Sequence, residues 1–213
     1  MRFTLTYDGE LASAGNGSKK SAHKWELRTH FHPQLKELWE THPALKRARH
    51  GVVINPKQPF MSVDGYHKEE IRYRKKTPEE GEIDLTDPIE RFGCSFRPFV
   101  RDTFALNCAI NIIFLRKEPP GKVYQGGDLD NRIKTLLDAL SMPQYKEQMQ
   151  GYVPIEEPMF CLMEDDSFLT KLSITTERLL TKPEAGPKEV RLNIEVDVRV
   201  SDARVYNTPF LSD

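Results

Sequence analysis

The chain is predicted to fold as one α+β domain, a mixed β-sheet packed against a few helices, and three observations carry that expectation. In VRLNIEVDVRV, Val190, Leu192, Ile194, Val196, Val198 and Val200 alternate strictly with charged or amide residues, the period-two pattern of a half-exposed, antiparallel strand. Through FALNCAINIIFL, Phe104, Leu106, Cys108, Ile110, Ile112 and Phe114 alternate over a mixed opposite face, as a central strand does. In GGDLDNRIKTLLDALS, Leu129, Ile133, Leu136, Leu137 and Leu140 fall on one arc of a helix, leaving Asp130 and Lys134 at its edge and Asn131 and Asp138 toward solvent.

The remaining elements follow in order. Phe3, Leu5 and Tyr7 alternate with polar neighbours and predict a first strand. Residues 11–24, LASAGNGSKKSAHK, are small, polar and Gly-rich and read as a mobile loop. Over 31–40, Pro33 stands near a helix start, with Leu35, Leu38 and Trp39 on one face. The segment 51–92 suggests short strands (GVVI, FMSV) and an exposed loop, TPEEGEIDLTDP. After the acidic helix come a Pro-, Gln- and Gly-containing insertion over 142–158 and a strand over 168–176. With no internal repeat, residues 1–200 are expected to form one domain with an elaborated 17–100 region, and 201–213 a tail with little to bury.

Composition narrows the class. An apolar fraction of 38% beside 30% charge, without an apolar run near the roughly 18 residues of a span, predicts no membrane segment. MRFTLTYDGE lacks the basic leader and apolar block of a signal peptide. Cys94, Cys108 and Cys161 are scattered, without a disulfide framework or zinc spacing, and read as small buried hydrophobes of a cytoplasmic protein. The formal charge of −1 neither demands nor excludes nucleic acid, because carboxylates gathered in one site offset a basic surface elsewhere. No GxxxxGK[ST] loop and no GxSxG elbow is present.

The chemistry concentrates in two acidic clusters. Asp128 is the natural N-cap of the helix, and Asp130 in its first turn meets the positive end of the macrodipole, each worth on the order of 0.3–2 kcal/mol. Asp130 and Lys134 also form an ordinary i,i+4 pair. The second cluster, MEDDS, offers Glu164, Asp165 and Asp166 ahead of a strand, where a βα unit can bring it beside the helix start. Clustered carboxylates repel unless a cation lies among them, and Mg²⁺ prefers a few carboxylate oxygens with water. On spacing alone, capping and metal binding both stand. EEIRYRKK sets Glu70, Arg72, Arg74 and Lys76 on one face of a possible strand, either a DNA-facing stripe or a solvated face, and LKRARH over 45–50 is a second basic patch. His30 and His32 alternate as strand ligands for zinc would, without a third ligand at a recognisable spacing.

Asp128-Leu129-Asp130-Asn131, then Lys134, then Asp138-Ala139-Leu140, with Asp165-Asp166 ahead of a strand, resembles the RusA-type Holliday junction resolvase family. The resemblance covers residues 104–200, about half the chain, with weaker agreement in the first strand and the small-polar loop containing Asn16. It implies a homodimeric endonuclease of DNA recombination and repair that uses Mg²⁺ or Mn²⁺ to nick four-way DNA junctions symmetrically. By the same resemblance, Asp128, Asp130 and Asp166 are the metal-binding carboxylates, with Asp165 the alternative third, and Lys134 serves the reacting phosphate. Arg72, Arg74, Lys76, Lys134 and Asn16 are the candidate DNA contacts. The chain departs from the family in its arginine-poor loop RKEPPGKVYQGG, in a longer insertion before MEDD and in a larger 25–101 region. A DNA-binding or assembly protein that keeps the fold without the chemistry is the alternative, and an unrelated α+β domain with capped helices and acidic turns is a third.

Overall fold

The computed structural model describes residues 1–12, 18–49, 52–54, 71–73, 83–117, 129–149, 154–180, 189–204 and 206–211. In chain order, β1 (Arg2–Glu10) leads to α1 (Ser18–Thr41) and α2 (Pro43–Arg49), then to the short strands β2 (Val52–Ile54), β3 (Ile71–Tyr73), β4 (Ile83–Asp84) and β5 (Ile89–Arg91). β6 (Cys94–Val100), β7 (Leu106–Arg116), α3 (Leu129–Leu140), β8 (Met159–Met163), β9 (Leu169–Arg178) and β10 (Glu189–Val200) complete an α+β fold.

The main sheet has the order β1-β10-β7-β9. β10 is antiparallel to β1 and to β7, while β7 is parallel to β9, so the sheet is mixed. The alternation in β10 decides its faces: Val190, Leu192, Ile194 and Val196 are fully buried, and Arg191, Glu195 and Arg199 are exposed. Cys108, Ile110, Ile112 and Phe114 of β7 do the same beside them and share one core with Leu27, Phe31, Leu35 and Trp39 of α1 and Ile133 and Leu136 of α3. Each such side chain contributes about 1.5–3 kcal/mol on burial. β7 begins later than its alternation suggests, because Phe104 sits in a 3-10 turn (Asp102–Phe104) and Ala105, at φ 50°, redirects the chain. The three cysteines are free, and burial pushes the thiols of Cys108 and Cys161 up to about 12.

Two expectations are corrected in α1. The helix starts at Ser18, within the stretch read as a loop, and Pro33 lies in its interior rather than near its start. An interior proline removes a backbone hydrogen bond and costs about 3 kcal/mol. Leu27, Phe31, Leu35 and Trp39, four residues apart and all at most 1% exposed, offset that cost by packing. His30 and His32 therefore diverge around a helix instead of sharing a strand face. His30 Nε2 lies 3.0 Å from the Thr6 carbonyl, and His32 Nδ1 accepts from the Phe160 amide at 3.0 Å, so they do not act as paired zinc ligands.

A second sheet, β5-β6-β8, joins an antiparallel hairpin to a parallel strand. A third, β3-β2-β4, carries Val52–Ile54 of the expected GVVI strand. In α2, Ala44, Leu45 and Ala48 face the core and Lys46 is exposed, while the side chains of Arg47 and Arg49 and the whole of His50, which complete the 45–50 patch, lie outside the described residues. The segment after Ser201, expected to have little to bury, is instead anchored. Phe210 is 2% exposed, and the buried Asn207 donates from Nδ2 to the carbonyls of Phe104 and Asp202. Among the described residues, no helix is long and apolar enough to cross a membrane.

Candidate functional site

α3 forms over the expected stretch, but its buried face is wider than the apolar arc: Arg132 and Thr135 are buried beside Ile133, Leu136, Ala139 and Leu140, whereas Leu129 and Leu137 are half-buried. Asp130 in the first turn and Lys134 one turn later are exposed. Asp128, Asn16, Arg74 and Lys76 lie outside the described residues, and of Arg72 only the backbone is described, in β3.

Asp138, expected toward solvent, is turned against α1. Lys24 Nζ donates to Asp138 Oδ2 at 2.5 Å, with side chains 15% and 20% exposed. One helical turn along α1, Arg28 donates from Nη2 to the Asp138 carbonyl at 2.5 Å and from Nε to the Ser141 carbonyl at 3.1 Å. The last carbonyls of a helix lack intrahelical partners and carry partial negative charge, so a guanidinium there both caps and neutralises the end of α3. Burial lowers the Arg28 pKa to about 10, with Cys161 and Asp138 opposing the fall. The ladder continues at the same spacing. His32 holds the Phe160 amide, and Lys36 Nζ donates to Glu156 Oε1 at 2.5 Å. Sequence reasoning missed this row, although its signal was present: Lys24, Arg28, His32 and Lys36 recur every fourth residue.

MEDDS begins at the end of β8 and closes into a 3-10 turn, Asp166–Phe168. Asp165 caps that turn by accepting from the Ser167 amide at 2.9 Å, and hydrogen bonds from Ser167 hold its carboxyl below the usual range against a smaller rise from burial. Asp166 is exposed. Glu164 is used differently, accepting from the Asp102 amide at 3.3 Å.

The connection from α3 to β8 brings helix and turn together. Ser141 bridges to Met163, and the Met142 amide donates to the Met163 carbonyl at 3.0 Å. Gln144 clasps both ends: Nε2 donates to the carbonyls of Met142 and Glu164 at 3.0 and 2.7 Å, and Oε1 accepts from Arg91 Nη1 at 2.8 Å. The result is a cleft of about 490 Å³ in which Lys134 and Asp138 of α3 share walls with Asp165, Asp166, Tyr145 and Gln148. The acidic turn thus sits along the middle and end of α3 rather than at its start, and Asp130 is absent from the described walls. A second cleft, of about 340 Å³ on the outer face of the main sheet, has Arg2 and Arg199 both paired with Asp197.

The first cleft offers hard carboxylate oxygens, one ammonium group and an amide donor. That donor type suits Mg²⁺ or Mn²⁺. Among the described residues, however, no group of three or more His, Cys, Asp or Glu side chains is placed to hold a metal ion, so a three-carboxylate set needs a residue outside them. Compared with family models, with curated proteins and with solved structures, the chain matches none.

Proposed function

We propose that the protein is a metal-dependent endonuclease that resolves four-way DNA junctions by paired nicks in recombination and repair, with Lys134 and Asp166 at the reacting phosphate. One observation carries this reading: a single cleft unites the ammonium of Lys134 with the carboxylates of Asp165 and Asp166, from a turn far along the chain. Asp166, or Asp165 in its place, with Asp128 and Asp130 as the resemblance implies, would hold Mg²⁺ or Mn²⁺. Such an ion lowers the pKa of a bound water and neutralises charge on the phosphodiester. Lys134 stabilises the negative charge that develops on the phosphate, and a two-fold dimer presents two equivalent sites to two equivalent strands.

The test is a synthetic four-way junction incubated with protein and Mg²⁺ or Mn²⁺. Paired symmetric nicks are expected, with Asp166→Asn and Asp130→Asn each reducing the rate by about 10²-fold or more, the usual scale for losing a group that stabilises the transition state. No nicks in either metal would contradict the reading. The second reading is a DNA-binding or assembly protein that keeps the fold without catalysis. Under it, wild type and Asp166→Asn bind the junction equally and neither cuts.

A further inference from the structure

One wall of the cleft has no part in the proposed nuclease chemistry. It comes from the 142–158 insertion and carries Tyr145, which is 67% exposed. A single exposed aromatic is unremarkable in itself. This one stands on a fixed backbone. The Gln148 amide donates to the Tyr145 carbonyl at 3.0 Å, Gln148 Oε1 accepts from the Gln144 amide at 2.9 Å, and the Gln144 side chain is tied to Met142, Glu164 and Arg91. A ring so held gives up only two side-chain torsions on contact, which keeps the entropic cost of binding low. Neither the Tyr145 hydroxyl nor Gln148 Nε2 has a hydrogen-bond partner among the described residues.

A flat π-face, an amide donor and the Lys134 ammonium therefore line, beside the carboxylates of Asp138, Asp165 and Asp166, one cleft of about 490 Å³, a volume suited to a small organic ligand. These groups are complementary to a nucleotide, with its phosphate on the cation, its base on the ring and an acceptor edge toward the amide. We propose that Tyr145 is a stacking platform for an unpaired base of the bound DNA strand and that Gln148 contacts the edge of that base. The proposal rests on the nuclease reading above and adds to it the form of the substrate. A base inside a duplex has both faces covered by its neighbours, so only an unpaired or extruded nucleotide fits.

Affinities of wild type, Tyr145→Ala and Tyr145→Phe are measured for a duplex with one unpaired thymine, for the fully paired duplex and for a four-way junction. Ca²⁺ replaces Mg²⁺, and nicking in Mg²⁺ is scored separately. Tyr145→Ala is expected to weaken binding of the unpaired-base duplex roughly 5- to 150-fold, the range for losing one base–aromatic stack, with Tyr145→Phe within about twofold of wild type. The fully paired duplex should bind both variants like wild type. An iodouracil at the unpaired position should photo-crosslink to the peptide carrying Tyr145. Equal affinities of wild type and Tyr145→Ala for the unpaired-base duplex, or one common loss on every DNA, would overturn the platform. If wild type still nicks the junction, the nuclease reading survives that result. If wild type neither binds nor nicks any of the DNAs, both fail together.

Discussion

Phe92 and Gly93 connect β5 to β6 with φ of 55° and 81°, the positive values that a type I′ hairpin turn requires at both central positions. Glycine adopts them freely, whereas a bulky L-residue pays roughly 1–2 kcal/mol for the left-handed region. Phe92 is 41% exposed and recovers only part of that by packing. Phe92→Asn, which creates the favoured Asn-Gly pair, is expected to stabilise the fold by about 1 kcal/mol. A higher urea midpoint at unchanged slope is the readout, and an unchanged or lower midpoint would refute it. At this scale the sequence was legible where spacing within one element decides position, as for Asp130 and Lys134, one turn apart and both exposed on α3. It did not show that the partner of Asp138 is Lys24, 114 residues away, because helical spacing reveals only neighbours on the same helix.

At the scale of elements, α1 and α3 are clasped by polar groups as well as by apolar packing. Lys24 holds the Asp138 side chain and Arg28 holds the last carbonyls of α3, so one wall of the cleft is fixed by a helix that contributes nothing described to its lining. Lys24→Met is expected to lower stability by about 1–3 kcal/mol, the range for a hydrogen bond between charged groups in a partly buried setting. In the double variant with Asp138→Asn, the loss should fall short of the sum of the two single losses, since both remove the same interaction. Additive losses in chemical denaturation would show that the pair is not coupled. The first turns of α1 looked like a loop because residues 11–24 are small, polar and Gly-rich, and Pro33 suggested a helix start. The polar residues of this helix, Lys24, Arg28, His32 and Lys36, find partners on α3, on β8 and at Glu156, which makes the arrangement physically sensible.

Across the whole molecule, the mixed main sheet was legible because β7 and β10 each bury one face and leave the other wetter, which writes a period of two into the chain. The β5-β6-β8 sheet left no such trace. All five residues of β8 are buried, which erases the alternation, and Pro98 interrupts β6 as it reads from sequence. The anchored tail was missed because Tyr206 and Phe210 are isolated apolar residues whose docking site is built by distant elements. The same long-range assembly forms the cleft, whose acidic turn and helix are joined through Gln144 and the Met142–Met163 backbone bond. The central property proposed for it, binding of a divalent cation at Asp166 beside Lys134, is tested most directly by titrating Mn²⁺ into wild type and Asp166→Asn by calorimetry, with both proteins first shown to unfold at the same temperature. A saturable isotherm for wild type that Asp166→Asn weakens by about tenfold or more is predicted, on the scale of one lost carboxylate ligand. Identical isotherms, or no Mn²⁺ binding by either protein, would contradict it.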